Sequence, residues 1–229
     1  MIALVIFDCD GVLIDSEIIS ASALVEELAQ HGIAIEMSHV LEQFIGHPYA
    51  VVAGKIAAFS GARLPASFEI GYRARLAQRF DAELHPMPGI LAVLDNLAVP
   101  FCAATSSHPE RAQRSLRAAG LAERFGERVY TVSMVARPKP APDLFLHAAK
   151  AMNVDPRHCL VIEDSDLGIA AAQAAGMMAW QFTGGSHYQA CHRVPTPNLA
   201  PDRSFHDMAN FFAGAPQLKR PFPNLSPSD

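Results

Sequence analysis

One stretch decides the fold: Ile6-Phe7-Asp8-Cys9-Asp10-Gly11-Val12-Leu13-Ile14-Asp15-Ser16. The short apolar run Ile2–Ile6 leads into it and predicts a fully buried strand. Asp8 and Asp10 follow, where this strand gives way to Gly11. Residues two apart in an extended chain point to the same side, so we expect both carboxylates to face one ligand. Two carboxylates held together repel each other, which predicts a cation, a shared proton or a basic neighbour beside them.

Length and composition favour a folded globular protein. The chain has 229 residues, of which 50% are hydrophobic and 18% are charged. Its net charge of −5 gives no indication of nucleic-acid binding. The cysteines are spread along the chain at Cys9, Cys102, Cys159 and Cys191. Without a C-x-x-C pair, they predict buried thiols in a reducing compartment.

We expect a soluble, cytoplasmic protein. Met1 leads directly into the first strand, with no basic segment or cleavage site of a signal peptide. The apolar runs of the sequence are all shorter than the roughly 20 residues that a membrane-spanning helix needs.

Helical patterns follow one another between residues 16 and 85, with no strand-like run among them. The predicted helices are Glu17–Gln30, Ser38–Ile45, Tyr49–Ser60 and Ala66–Asp81. After this block, strands alternate with helices, which predicts a doubly wound, Rossmann-like α/β fold with a mostly parallel sheet. We therefore predict a core domain formed by residues 1–15 and 86–229, with residues 16–85 inserted as a helical cap domain. Beyond Gly184 the sequence predicts one ordered element, a helix over Ser204–Ala213.

Three later segments carry polar residues suited to a phosphate group and a metal ion. Thr105 and Ser106 follow a buried strand and precede a helix, whose free N–H groups and dipole favour an anion. Lys139 lies between two prolines and supplies a cation that offsets nearby carboxylates. Glu163 and Asp164 end another strand, at the sheet edge where ligands of α/β proteins bind. A set of oxygen ligands favours magnesium over zinc.

These segments together resemble the four motifs of the haloacid dehalogenase superfamily. The matches are D-x-D-G-V-L-x-D-S from Asp8, Thr105 after a buried strand, K-P-x-P-x-x-F from Lys139, and E-D-S-x-x-G from Glu163. They occur in the family's order, and the resemblance covers about residues 1–183. Within the superfamily, the chain looks similar to the branch that contains β-phosphoglucomutase and small sugar-phosphate phosphatases.

The resemblance implies a phosphoric monoester hydrolase that works through an aspartyl-phosphate. It assigns the nucleophile to Asp8, the general acid and base to Asp10, and the charge-balancing lysine to Lys139. Magnesium is the implied cofactor, held by the side chains of Asp8 and Asp164 and by the backbone carbonyl of Asp10, with Glu163 nearby. Hydrolytic dehalogenases of the superfamily lack the second aspartate, so Asp10 argues against dehalogenation.

The predicted cap indicates where the substrate is selected. Gly46-His47-Pro48-Tyr49 aligns with the specificity loop of the mutase, which implies substrate contacts from Gly46, His47 and Tyr49. The mutase has a lysine and an arginine where this chain has Ile45 and Tyr49, so a cationic grip on a second phosphate is missing. We therefore predict a phosphatase for sugar or sugar-acid phosphates. A phosphomutase and a non-catalytic metabolite-binding relative are the alternatives.

Two groups of arginines on predicted helices are interpreted as solvated basic faces. They are Arg73, Arg75 and Arg79 in the last cap helix, and Arg111, Arg114 and Arg117 after Thr105. For both groups, the alternative is contact with an anionic sugar acid. The expected partner is a small phosphorylated metabolite, with neither nucleic acid nor membrane, and the oligomeric state is not readable from the sequence.

Overall fold

The apolar run near the amino terminus forms strand β1, Leu4–Phe7, in which every residue is buried. The structure is a computed structural model that describes residues 1–44, 46–61, 63–190 and 199–221. Strand β1 lies inside its six-stranded sheet. The other strands are β2 (Phe101–Thr105), β3 (Val129–Thr131), β4 (Cys159–Glu163), β5 (Met178–Phe182) and β6 (Arg203–Phe205). All neighbouring strands are parallel, in the order β3-β2-β1-β4-β5-β6.

The strand order creates a ligand-binding crevice at the end of β1. From β1 the chain moves outward through β2 and β3, then returns to β4 on the other side of β1 and continues to β6. Open α/β sheets bind ligands at the carboxyl ends of their strands, next to such a change of direction. Phe7 pairs with Ala103 of β2 and with Ile162 of β4, so these three strands end side by side. The predicted doubly wound parallel sheet is confirmed.

Strand β1 contributes to both layers of the core. Val5 and Phe7 pack into a hydrophobic cluster on one face of the sheet, and Leu4 and Ile6 pack into another on the opposite face. A strand covered on both faces reads as a continuous apolar run, because neither face meets water. The run ends at Asp8, where the chain leaves the sheet.

Helices cover the sheet and form the segment inserted after β1. They are α1 (Glu17–Gln30), α2 (Met37–Gln43), α3 (Tyr49–Ser60), α4 (Ala66–Glu83), α5 (Ile90–Asn96), α6 (Pro109–Ala118), α7 (Ala122–Phe125), α8 (Asp143–Ala151), α9 (Asp166–Ala174), α10 (Ser186–Ala190) and α11 (Phe211–Gly214). The first four enclose a hydrophobic cluster of their own, with Ile56 and Phe68 fully buried in it. The division into a core domain and a cap domain at residues 16–85 stays a prediction.

The carboxyl-terminal segment differs from its prediction. Arg203–Phe205 pairs with Trp180–Phe182 as edge strand β6, so the helix predicted over Ser204–Ala213 begins within a strand and is helical only from Met208. A strand of three residues is too short to give a recognisable alternation of polar and apolar positions. Helix α10 was also not predicted, and it packs against the site described below.

The cysteine prediction is confirmed where the structure describes it. Cys9, Cys102 and Cys159 are buried free thiols. Cys191 and Ile45 lie outside the described residues. Within the described ranges, none of the helices combines the length and the apolar character that crossing a bilayer requires.

Candidate active site

Two adjacent parallel strands bring three buried carboxylates together at their carboxyl ends. Asp8 follows β1, while Glu163 ends β4 and Asp164 follows it. Oxygens of these three side chains all lie within 4.8 Å of one another, and each residue is buried. Such a cluster is stable only with compensating positive charge, because burial and mutual repulsion both disfavour the ionised forms.

Lys139 provides a positive charge inside this cluster. Its ammonium group donates to Asp8 Oδ1 at 2.5 Å, to Glu163 Oε1 at 2.7 Å and to the carbonyl of Ala104 at 3.0 Å. The side chain is 4% exposed and lies 4.7 Å from the ring centroid of Phe145. Burial alone lowers a lysine pKa, but the charges of Asp8 and Glu163 raise the pKa of Lys139 above its usual value. Lys139 is therefore held in its charged form.

One lysine does not balance three carboxylates. Burial raises the pKa of Asp8 well above its usual range, and the charges of Glu163 and Asp164 add to this effect although Lys139 opposes it. With all three acids ionised, the cluster and Lys139 together carry a charge of −2. A hard divalent cation bound by carboxylate oxygens matches both this charge and this donor set.

Glu163 is the most fully bonded acid of the cluster. Its Oε1 accepts from Lys139, and its Oε2 accepts from the backbone N–H and from the hydroxyl of Ser165, both at 2.9 Å. A Cβ atom at Gly168, in the first turn of α9, would overlap this carboxylate. The glycine of the E-D-S-x-x-G pattern is therefore required by the close approach of Glu163.

Asp10 has a different environment from Asp8. Its carboxylate accepts hydrogen bonds from the hydroxyls of Ser16 (2.7 Å) and Ser107 (2.8 Å) and from Arg111 Nη2 (3.1 Å). Burial by itself raises the pKa of Asp10, but the charge of Arg111 and the bonds from both serines lower it below its usual value. Asp10 is consequently held as a carboxylate.

One prediction about these residues was wrong, and two side chains near the first motif have partners that the sequence did not indicate. Ser16 occupies the N-cap position of α1 but makes no side-chain capping bond, because its hydroxyl is donated to Asp10. Asp15 instead accepts from the backbone N–H and the hydroxyl of Ser186 in α10. Arg111 does not belong to a solvated face, since it reaches Asp10 inside the site.

All predicted site residues line one cavity of about 1150 Å³. They are Asp8, Asp10, Gly46, His47, Tyr49, Thr105, Ser106, Lys139, Glu163 and Asp164. The cavity lies between the strand ends and the inserted helices, which contribute Tyr72 and Phe80 of α4. Its volume is slightly above the usual range for small-molecule pockets, so the cavity has room for a small metabolite.

The Thr105 turn forms one wall of this cavity. Thr105 Oγ1 accepts from the backbone N–H of Ser107 at 3.0 Å, which tightens the turn that precedes α6. Ser106 is exposed at the cavity surface. Turns of this type before a helix favour anions, because N–H groups point toward the ligand.

The loop before α3 reaches the cavity from the opposite side. His47 Nε2 lies 3.0 Å from the ammonium of Lys55, which also donates to the carbonyl of Gln43 at 2.6 Å. Tyr49 stacks on Tyr72 with 6.4 Å between ring centroids. His47 and Tyr49 are thus oriented by neighbours within the helical segment.

Most arginines of α4 have partners within the helical segment. Arg75 and Arg79 form ion pairs with acids of the cap helices: Glu26, Glu27 and Glu83. Arg73 pairs with Glu69 at 2.6 Å, although it also lines the cavity. Arg75 and Arg79 are thus paired with acids and partly buried, which differs from the solvated basic face expected from the sequence.

Sequence reasoning missed several residues that surround the acids. His187 of α10 lies 3.1 Å from Asp164 Oδ2, and the hydroxyl of Tyr188 donates to the Asp164 carbonyl. Glu17 is buried and lines the cavity. Burial, then the charges of Asp10 and Asp164, raise the pKa of Glu17 to about 7. The sequence feature that could have identified Glu17 is its position directly after the first motif, D-x-D-G-V-L-x-D-S.

The chain was compared with known protein families and curated proteins. A family model described as haloacid dehalogenase-like hydrolase matches residues 2–176. The 6-phosphogluconate phosphatase of Escherichia coli K12 is 32% identical over 184 residues, covering 80% of this chain and 83% of that protein. The fructose-1-phosphate phosphatase of the same organism is 32% identical over 176 residues, covering 76% and 93%.

Solved structures share the whole architecture. A conserved haloacid dehalogenase-like protein of unknown function from Agrobacterium tumefaciens superimposes with a TM-score of 0.83 at 30% identity. The match covers 95% of this chain and 99% of that one. The sheet and the inserted helices are therefore both present in this relative.

We predict that Gly168→Ala lowers the free energy of unfolding by roughly 1–3 kcal/mol, because the added methyl displaces Glu163 from its bonds. Urea unfolding followed by circular dichroism measures this change. Gly54→Ala in α3 is the matched control, since a Cβ atom there meets open space and helix propensity favours alanine by about 1 kcal/mol. Equal stability of the two variants would contradict the close-approach argument.

We also predict that Glu17→Gln gains stability relative to the parent protein as the pH rises from 5 to 8. The folded state keeps the Glu17 proton up to about pH 7, whereas the unfolded chain loses it near 4.5. Stability of the parent protein therefore falls across this window, and the variant's advantage should grow by roughly 2–3 kcal/mol between pH 5 and pH 8. Urea unfolding of both proteins between pH 5 and pH 8, with EDTA present to remove metal ions, measures this difference.

The exposed Glu123→Gln serves as the control for this experiment. It should follow the pH dependence of the parent protein, because its side chain is in water in both states. A Glu17→Gln difference that is constant from pH 5 to pH 8 would contradict the expected titration.

Proposed function

The chain belongs to the haloacid dehalogenase-like hydrolases and is a phosphoric monoester hydrolase, and we propose that it is a magnesium-dependent phosphatase of sugar or sugar-acid phosphates. The observation that carries the proposal is the buried contact of Lys139 with Asp8 and Glu163 beside Asp164. This arrangement supplies a nucleophile, a fixed cation and acidic metal ligands within one cavity.

Asp8 is proposed as the nucleophile. Its carboxylate oxygen forms a bond to phosphorus while the bond from phosphorus to the leaving alkoxide breaks, which gives an aspartyl-phosphate and divides one hard displacement into two. A water molecule then bonds to phosphorus, and the bond to Asp8 breaks to release inorganic phosphate. Lys139 stabilises charge on the transferring group from a fixed position, which avoids reorganisation during the reaction.

Asp10 is proposed to move the protons of both steps. It protonates the leaving alkoxide in the first step and accepts a proton from the attacking water in the second. The bonds from Ser16, Ser107 and Arg111 hold it as a carboxylate, the form that the second step needs. Protonation for the first step requires at least one of these bonds to be exchanged when substrate binds.

Magnesium fits the chemistry of the acidic cluster. The side chains of Asp8 and Asp164 and the backbone carbonyl of Asp10 would hold the ion, and Glu163 would position Lys139 and the surrounding groups. When bound, magnesium neutralises charge on the phosphoryl oxygens. The Thr105 turn, with Ser106 at the surface, is proposed to bind the remaining phosphate oxygens.

Similar proteins favour a sugar-based leaving group. The two curated relatives are named for 6-phosphogluconate and fructose 1-phosphate, a sugar acid and a sugar. A phosphomutase needs to hold a second phosphate. In this chain His47 and Tyr49 line the cavity, and Tyr49 stands where the mutase has an arginine. The intact set of Asp8, Asp10 and Lys139 argues against a binding protein without turnover.

We predict that Asp8→Asn abolishes hydrolysis of p-nitrophenyl phosphate, with kcat reduced roughly 10³-fold or more, while the fold is retained. Activity of the parent protein should require added magnesium and disappear with EDTA. The exposed Asp95→Asn is the control and should keep full activity. Turnover by purified Asp8→Asn above that of a mock preparation would remove the covalent mechanism.

We further predict that replacing His47 and Tyr49 with alanine affects large substrates selectively. The kcat/KM for the best sugar phosphate should fall roughly 10- to 100-fold, since one or two contacts worth about 1–3 kcal/mol are lost. Acetyl phosphate is too small to reach the loop, so its hydrolysis should change little. Val51→Ala, exposed on the same helix, is the control.

Equal losses for both substrates would mean that the loop supports folding or closure rather than recognition. No loss for either would place the specificity contacts elsewhere on the cavity wall.

A further inference from the structure

Arg111 is a cation inside the cavity, and the proposed chemistry uses only its single bond to Asp10. It lies in the first turn of α6, six residues after Thr105. A guanidinium carries five N–H donors. Among the described residues it donates one hydrogen bond, from Nη2 to Asp10, and its buried Nε has no partner. The side chain is 35% exposed, toward the cavity that it lines.

The position of Arg111 is fixed by the inserted helices. Its guanidinium lies 5.4 Å from the ring centroid of Phe80 in α4. Burial disfavours the charged form, but the charges of Asp10, Tyr72 and Glu17 raise its pKa above the usual value. A charged group oriented by packing, with unused donors facing a cavity, is suited to binding an anion.

Other cations lining the described part of the cavity already have anionic partners. Lys139 is bound to Asp8 and Glu163. Arg73 pairs with Glu69, and Arg114 pairs with Asp81 at the outer rim. Arg111 differs because it is partly buried at the cavity and keeps most of its donors unused beyond its single bond to Asp10.

The neighbouring acids restrict which anion Arg111 accepts. Asp10 is an ionised neighbour, and Glu17 lines the same cavity. The negative charge of the neighbouring acids would repel a second phosphate, which carries two charges. A carboxylate carries one charge, which one guanidinium balances. The carboxyl group of Glu17 accepts no hydrogen bond from the described residues, which leaves it able to accept bonds from ligand hydroxyls.

We infer that Arg111 binds the carboxylate of a phosphorylated hydroxy acid and so selects sugar-acid phosphates over neutral sugar phosphates, with Glu17 accepting bonds from the acid's hydroxyls. The inference rests on the proposed phosphatase function and names the substrate class of that site. Arg111 belongs to the α/β part of the chain, so this selection does not depend on the loop before α3 alone.

Two pairs of substrates test this inference, each differing only by a carboxylate in place of a hydroxymethyl group. They are 6-phosphogluconate with sorbitol 6-phosphate, and 3-phosphoglycerate with glycerol phosphate. The kcat/KM of each compound is measured for the parent enzyme, Arg111→Met and Arg111→Lys. Arg117→Ala on the same helix is the matched control, because Arg117 is exposed and outside the cavity.

The parent enzyme should prefer the acid in at least one pair. Arg111→Met keeps an apolar stem beside Phe80 and should reduce the ratio of kcat/KM for acid over alcohol roughly 10- to 100-fold, the value of one charge-assisted hydrogen bond or bidentate pair. Arg111→Lys should retain part of the preference, and Arg117→Ala should retain all of it. Circular dichroism and urea unfolding verify that each variant is folded.

An equal loss for acid and alcohol in Arg111→Met would overturn the inference and make Arg111 a positioning residue for Asp10. A parent enzyme without preference for either acid would overturn it as well, and phosphatase activity would stand in both cases. Absence of magnesium-dependent hydrolysis of every phosphate ester would instead remove the proposed function together with the inference.

Discussion

Lys139 donates hydrogen bonds to Asp8 and Glu163 at a place where all three side chains are buried. Burying a carboxylate without a partner is strongly unfavourable, and here three carboxylates lie within 4.8 Å of one another. The ammonium group offsets part of this cost and fixes the orientation of Asp8. The remaining negative charge matches the divalent cation of the proposed function, so the same interaction supports both the fold at this edge and the proposed chemistry.

The parallel sheet is what makes this interaction possible. Adjacent strands β1, β2 and β4 all end at one edge, so that Asp8, Thr105 and Glu163 become neighbours although they are far apart in sequence. The sheet interior is apolar on both faces, and the polar residues begin where the strands end. Helix α10 then covers the acids with His187, which limits their contact with water.

The inserted helices close the cavity and add a second set of polar groups. Glu17 lies at the start of α1 and Phe80 near the end of α4, while Arg111 reaches toward both from α6. In the proposed function, phosphate chemistry takes place at the strand ends, and the leaving group is recognised at the boundary between the sheet and the helices. This separation explains how related chains keep one reaction while differing in substrate.

The sequence by itself determined the sheet, apart from its edge strand β6, and the residues at the strand ends, because each of those depends on a local pattern. The apolar run before Asp8, the glycine at Gly168 and the prolines around Lys139 are such patterns, and the predicted boundaries of α1 and α3 agree with the structure. Tertiary structure alone decided the partners of Arg111, Ser16 and Asp15. An arginine on a polar helix resembles a surface residue until α4 packs over it, and Ser16 resembles a helix cap until Asp10 takes its hydroxyl. The partners of Arg111 and Asp15 lie far away in sequence, and the Ser16 hydroxyl reaches Asp10 across the turn between them, so no local pattern identifies these contacts.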